Sequence, residues 1–355
     1  MHRIKQSRGS LVGRILSGAW RKPPFPPLDI TQDQLDEATP LLNGSSAGAL
    51  AWWRIGKTAF RGSASAEVLR QAYRFHSVQA VMHEEKIKKV FRLLKEASIE
   101  AVMAKGWSAT ALYPAAPLRP YHDIDIYVRA RDFPAAESVF TGPGADDCWV
   151  DLHNRFWELD DRNQESVFAR SKMVALGEEQ ICTLGAEDHL ALLAIHFLKH
   201  GGWRPLWLCD IGAAIEGLSD EFDWEICLGR NPVRANWIVH AIGLAQRLLG
   251  ARIDTLPKAI RVPEPPSWLI ESVLSQWANP FPLSQSPAVH PIPMGSYLKR
   301  PRGVINALRH RWPNPIAATV ILNGKFNSLP RLPYQVGNCM LRAGQFVFRL
   351  PRTAD

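Results

Sequence analysis

The residue types able to do chemistry concentrate in one stretch: Lys105-Gly106-Trp107-Ser108, then Arg119, then Asp123-Ile-Asp125, then Asp151-Leu-His153. Asp123 and Asp125 sit two apart in the alternating segment HDIDIYV. On a strand, both carboxylates point to one face, while Ile124, Ile126 and Val128 point to the other. Two carboxylates this close repel each other unless a cation lies between them. Their oxygens suit Mg²⁺, with Mn²⁺ as the other candidate. Asp151, in the segment CWVDLHNRF, supplies a third carboxylate if its strand lies beside the first. Three carboxylates can hold two cations, one activating an attacking hydroxyl and the other neutralising a leaving phosphate. A lone acidic pair on an edge strand is ordinary. The specific signal is the order: glycine-bearing turn, acidic strand, acid-bearing strand.

The elements that must position these groups follow from periodicity. IEAVMAKG reads as a strand ending at Gly106, with WSATALY as a short helix after it. A glycine permits close backbone approach, and a helix start offers free N–H groups to phosphate oxygens. Lys105 and Arg119 are the cations placed to neutralise phosphate. The span 98–156 thus reads strand, helix, strand, helix, strand, and KMVALGEEQICTL adds a hairpin around Gly177-Glu178. Before it, Thr31 and Gln34 form a capping box for a helix ending near Leu42, and helices are expected over 45–58 and 65–96. After it, helices are expected over 186–200, 204–217, 223–229, 233–250 and 266–278.

The expected organisation is an irregular or short-helix extension over 1–44, a helical scaffold over 45–97, and an α/β core over 98–185. A helical subdomain over 186–256, a Pro/Ser-rich linker over 257–295 and a basic, mainly helical segment over 296–355 follow. Residues 1–30 are expected to be irregular around KPPFPP. Prolines 313, 315, 330 and 333 are expected to break the C-terminal part into short helices.

The chain of 355 residues is long enough to bury a core without disulfide or metal staples. Its five cysteines form no CxxC, which argues against a zinc module or a disulfide framework. The net charge of +8 is uneven: residues 296–355 hold ten Lys/Arg and one acid, while the rest is near neutral. Such a segment suits an anionic partner, or is simply a set of solvated helix faces. No apolar run is long enough to span a membrane, and the basic N-terminal stretch lacks the apolar region of a secretory signal. The expected location is cytoplasmic.

This order resembles the polymerase-beta-type nucleotidyltransferase superfamily. It is most similar to a bacterial family of uncharacterised nucleotidyltransferases. The matching segments are Lys105-Gly106, Leu112-Tyr113-Pro114, Arg119-Pro120, Asp123-Ile-Asp125-Ile-Tyr-Val128 and Val150-Asp151-Leu-His153. Glu187-Asp188-His189-Leu190, His196, His200, Trp203, Trp207 and Asp210 extend the likeness, which covers about residues 45–255. The resemblance implies an α+β fold, a small mixed-sheet core flanked by N- and C-terminal helical regions. It also implies transfer of a nucleoside monophosphate from an NTP to an acceptor, with pyrophosphate leaving. Asp123, Asp125 and Asp151 would hold Mg²⁺, and Lys105, Gly106, Trp107, Ser108 and Arg119 would bind nucleotide. The acceptor could be a small molecule, a protein side chain or an RNA end.

Two departures stand out: Ala104 replaces the usual Leu, and only 25 residues separate Asp125 from Asp151. If the short interval displaces Asp151, the rival reading is a nucleotide-binding or protein/nucleic-acid interaction module without turnover. His189, His196 and His200 recur at steps of seven and four, on one helix face. With Asp210 they could bind a transition metal, line the cleft beside His153, or satisfy a helix–helix contact.

Overall fold

The computed structural model describes residues 2–142, 148–254, 256–279 and 312–349. At its centre is a five-stranded mixed sheet: β1 (Ala101–Met103), β2 (Ile124–Val128), β3 (Val150–His153), β4 (Lys172–Leu176) and β5 (Glu179–Thr183), in the order β3-β2-β1-β5-β4. β2 runs parallel to β3 and antiparallel to β1, β1 runs parallel to β5, and the β4–β5 hairpin turns at Gly177-Glu178 as the sequence predicts. This small mixed sheet, flanked by helical regions on both sides in sequence, is the polymerase-beta-like α+β architecture.

The sheet separates two apolar clusters. The long helix α4 (Ala64–Glu96) follows α1 (His2–Leu16), α2 (Gln32–Gly44) and α3 (Gly48–Ile55). Its C-terminal half presents Ile87, Val90, Phe91 and Leu94 to Met103, Ile124, Ile126, Val128 and Ile181. The alternation in β2 therefore works as the sequence requires: Ile124, Ile126 and Val128 face α4, and Asp125 and Tyr127 face away. α5 (Phe133–Thr141) and α6 (Gln164–Ala169) complete the region around the sheet. Beyond the other face lie α7 (Ala186–Lys199), α8 (Pro205–Glu216), α9 (Trp224–Leu228), α10 (Pro232–Leu249) and α11 (Ser267–Trp277).

Some expectations hold in detail. Thr31 and Gln34 form the reciprocal capping box of α2. Others need correction. The N-terminal stretch is not irregular: α1 buries Leu11, Val12, Ile15 and Leu16, and only the Pro-rich residues after it lack regular structure. Gly9 makes this packing feasible, because a Cβ there would collide with the backbone of Leu274 in α11. The short helix expected over WSATALY is a 3-10 helix, Gly106–Leu112. Toward the C-terminus, α12 (Pro315–Ile321) and α13 (Leu332–Arg349) replace the expected run of short helices. Pro333 is tolerated because it sits in the first turn of α13, where its missing N–H has no intrahelical partner to lose. Much of the expected linker (280–295) and of the basic segment (296–311 and 350–355) lies outside the described residues. Among the described residues, no helix is long and apolar enough to cross a membrane.

Candidate active site

The β2–β3 pairing decides the site. Asp125 lies opposite Asp151, and Tyr127 lies opposite His153. In a parallel pair, residues in register share a face, so two carboxylates and an imidazole converge at one end of the sheet. Ligand atoms of Asp125, Asp151 and His153 all lie within 4.8 Å of one another. His153 Nε2 is 3.4 Å from Asp125 Oδ1 and 3.3 Å from Asp151 Oδ2. The His153 ring is held by stacking on Tyr127 (4.5 Å between centroids), which stacks in turn on Phe156 (4.2 Å). The two carboxylates differ in setting. The Asp125 side chain is 6% exposed and that of Asp151 is 53% exposed. The short interval after Asp125 thus leaves Asp151 beside it, at the rim.

Asp123 precedes β2 and is exposed, so it stands outside this three-residue cluster while lining the same cleft. Asp125 and Asp151 thus meet across two strands, in the cross-strand register of β2 and β3. The cluster opens into a cleft of about 420 Å³, a size suited to a small organic ligand. Its far wall comes from α7 and the start of α8, through His196, Lys199, His200, Arg204 and Trp207.

Lys105 lines the cleft, but its ammonium is engaged: Nζ is 2.5 Å from Asp125 Oδ1. Consecutive positive φ angles at Lys105 (+58°) and Gly106 (+30°) make the turn that aims this side chain. The left-handed conformation at a non-glycine residue stores strain of the kind found at functional sites. Burial works against the ammonium, yet the Asp125 carboxylate outweighs it and holds Lys105 above its ordinary pKa. Burial likewise works against the Asp125 carboxylate. The His153 hydrogen bond and Lys105 outweigh it, keeping Asp125 below the usual carboxylate value.

Other expected nucleotide-binding residues are placed differently. Arg119 touches the cleft but is fully buried, and its guanidinium is committed to Asp210 through contacts of 2.6 to 3.0 Å. Asp210 lies beneath the cleft rather than along it and also accepts a 2.6 Å hydrogen bond from the Tyr113 hydroxyl. Trp107 packs toward the α4 side of the sheet, and Ser108 Oγ donates to the Met103 carbonyl (3.2 Å), closing the end of β1. Neither belongs to the cleft lining, whereas Gly106 does.

The histidines separate by depth. His196 and His200 line the cleft and lie 4.4 Å apart by ring centroids, each against Trp207. His189 lies outside the cleft lining, its Nε2 sealed from solvent without a hydrogen-bond partner among the described residues. Burial pulls its pKa down to about 4. These histidines do not meet Asp210 as a metal set, since among the described residues the only such group of three or more is Asp125, Asp151 and His153.

Two contributors carry no local sequence signal. Glu158 is buried in the cleft wall, with its Oε1 3.5 Å from His196 Nδ1 and 3.4 Å from Lys199 Nζ. Burial would raise its pKa, but His196 and Lys199 hold it well below the usual carboxylate range. Arg204 stands over Trp203 and Trp207 and donates to the Ser45 carbonyl. It has no carboxylate partner in the described residues, and burial lowers its pKa to about 10. A half-buried guanidinium that makes no ion pair among the described residues, facing a cleft, is suited to an anionic ligand.

The donor set fits a divalent cation. Carboxylate oxygens suit Mg²⁺, and an added imidazole is equally acceptable to Mn²⁺. Neither the curated proteins nor the solved structures give a significant match to this chain. A family model does match, and it covers the sheet, the cleft and all the residues that line it. The match runs over residues 32–250, more than half of the chain, and the chain belongs to that family, described as uncharacterised nucleotidyltransferase.

Proposed function

We propose that this protein is a divalent-cation-dependent nucleotidyltransferase. It moves a nucleoside monophosphate from an NTP to an acceptor hydroxyl or phosphate. The observation that carries the reading is the Asp125–Asp151–His153 cluster at one end of a cleft whose walls hold Lys105, Lys199 and Arg204. An acceptor oxygen bonds to the α-phosphorus, the bond from that phosphorus to the bridging oxygen breaks, and pyrophosphate leaves. Asp125, Asp151 and His153 would hold Mg²⁺ or Mn²⁺, which would supply charge neutralisation and acidify the acceptor hydroxyl.

The chain's own groups do the rest. Arg204 and Lys199 face the triphosphate, and Gly106 lets its chain turn lie against it. Asp151, exposed at the rim, takes the acceptor proton. Asp123 stands on the same cleft as a further carboxylate. His196 and His200 line the wall without serving as ligands. The acceptor class remains a small molecule, a protein side chain or an RNA end, and the working location is the cytoplasm.

The test is pyrophosphate release and label transfer from each α-³²P-labelled NTP. It uses Mg²⁺ or Mn²⁺, with cell extract as the acceptor source and Asp125→Asn and Asp151→Asn as controls. Transfer by the wild type that is lost in both variants supports the reading. NTP binding without pyrophosphate release, under every condition, would replace it with a nucleotide-binding module.

A further inference from the structure

We propose that α13 seats this protein on an anionic membrane surface, lying in the headgroup layer rather than crossing it. Among the described residues, the contacts that dock the helix fall on one face. Asn338 is buried toward α12, and Gly337 packs so closely on Leu322 that a Cβ would press into it. Arg331, just before the helix, donates to the carbonyls of Lys325, Asn327 and Leu329 and lies over the Trp268 ring. Gln335 donates to the Pro313 carbonyl. These contacts fix the roll of the helix.

The opposite face carries Leu332, Val336 and Met340 at successive four-residue steps, 58%, 42% and 70% exposed. Exposed Ala343 continues the row, and Leu329 (62% exposed) leads into it. Four-residue steps keep these side chains on one side of the helix. An apolar row of this length on a water-facing helix marks an interaction surface.

Charge selects the occupant. Between Glu271 and Asp355 the sequence holds ten Lys/Arg and no acidic residue. A second copy of this chain would bring the same positive charge against itself. RNA would answer the charge, but it binds through basic and aromatic side chains, not a row of Leu, Val and Met. An anionic bilayer answers both features. The apolar row enters the acyl boundary, and each of these Lys or Arg that reaches the headgroups would add about 1 kcal/mol of attraction to the surface.

The experiment is flotation of the full-length protein with vesicles of phosphatidylcholine alone, or with roughly one-third phosphatidylglycerol. It is run at physiological and at high ionic strength. The expected result is flotation with the anionic vesicles only, weakened by salt. It is reduced at least about tenfold in Val336→Glu/Met340→Glu, a difference of about 1.4 kcal/mol. The milder Val336→Gln/Met340→Gln pair, with an unchanged melting temperature, guards against misfolding as the cause. No flotation on anionic vesicles, or equal flotation by the variants, would overturn the proposal. A dimer in light scattering that the variants dissociate, without vesicle binding, would give the face to a second copy. RNA binding lost in the variants, again without vesicle binding, would give it to nucleic acid. None of these readouts depends on nucleotide chemistry.

Discussion

Lys105 holds the same Asp125 oxygen that faces His153. Its Nζ, 2.5 Å from Asp125 Oδ1, neutralises that carboxylate and would compete with a cation for it. Cation binding then requires the ammonium to move, and a triphosphate is the natural place for it to go. Lys105→Met should therefore bind Mn²⁺ more tightly without nucleotide, by about tenfold, since a charged hydrogen bond contributes roughly 1.5–3 kcal/mol. Electron paramagnetic resonance of free Mn²⁺ reads this directly; unchanged or weaker Mn²⁺ binding would refute the competition. The same variant should lose up to about 3–5 kcal/mol of stability without the cation, because it leaves a buried carboxylate short of a partner. Saturating Mn²⁺ should restore about 2.7 kcal/mol at a hundredfold excess over Kd. At this scale the sequence was partly legible. The DxD spacing and the VDLH segment marked Asp123, Asp125, Asp151 and His153, but spacing along one strand cannot show which acids meet across two. Glu158 was invisible, because one acid in an aromatic loop looks like any solvated acid until the fold buries it.

Elements are tied together beneath the cleft by the Tyr113–Asp210–Arg119 contact. It joins the loop before β2 to α8 across about ninety residues of sequence. Burial opposes the Arg119 charge, but Asp210 outweighs it. Arg119→Met should then lower the urea midpoint by an amount equivalent to about 3–5 kcal/mol. Arg204→Met, by contrast, should leave the midpoint nearly unchanged and raise the KM for NTP by about tenfold, or 1.4 kcal/mol. Equal loss of stability in both variants would show that Arg204 is also a strut. His189 on α7 faces the same contact, with Asp210 and Arg119 acting on it in opposite senses. Its folded pKa of about 4 lies below the ordinary 6.5, so the unfolded chain takes the proton first as pH falls. Its contribution is complete above pH 6.5 and declines toward pH 4; His189→Gln should flatten that part of the urea-midpoint profile. The helix itself was readable from its apolar period. The pairing of Arg119 with Asp210 was not, because nothing local distinguishes a buried counter-ion from a cleft residue.

At the scale of the whole molecule, the folding unit exceeds the stretch that carries the family likeness. The match begins at residue 32, yet α1 lies against α11 and shares one apolar cluster with α2, α3, α8 and α10. Arg54 fastens the junction: its guanidinium is buried and donates to the carbonyls of Arg14, Ile15, Ser17, Pro26 and Pro27. The proline run after α1 obscured this in the sequence. Proline-rich chain reads as irregular, and the short apolar period of Leu11, Val12, Ile15 and Leu16 is weak evidence beside it. The four side chains are at most 2% exposed. At about 1.5–3 kcal/mol each, their burial contributes roughly 6–12 kcal/mol. Total stability for a folded chain is about 5–15 kcal/mol. Removal of residues 1–31 should therefore abolish cooperative unfolding, although every cleft residue is retained. Arg54→Met in the full chain should lower the melting temperature, with three or more carbonyls losing their donor. The calorimetric trace of the truncated chain decides the matter. A sharp transition like that of the full chain would mean that the matched region folds alone and that α1 only covers it. A broad or absent transition would mean that the cleft depends on a helix outside the family match, because α1 packs directly on α8, whose start forms part of the cleft's far wall, and on α10.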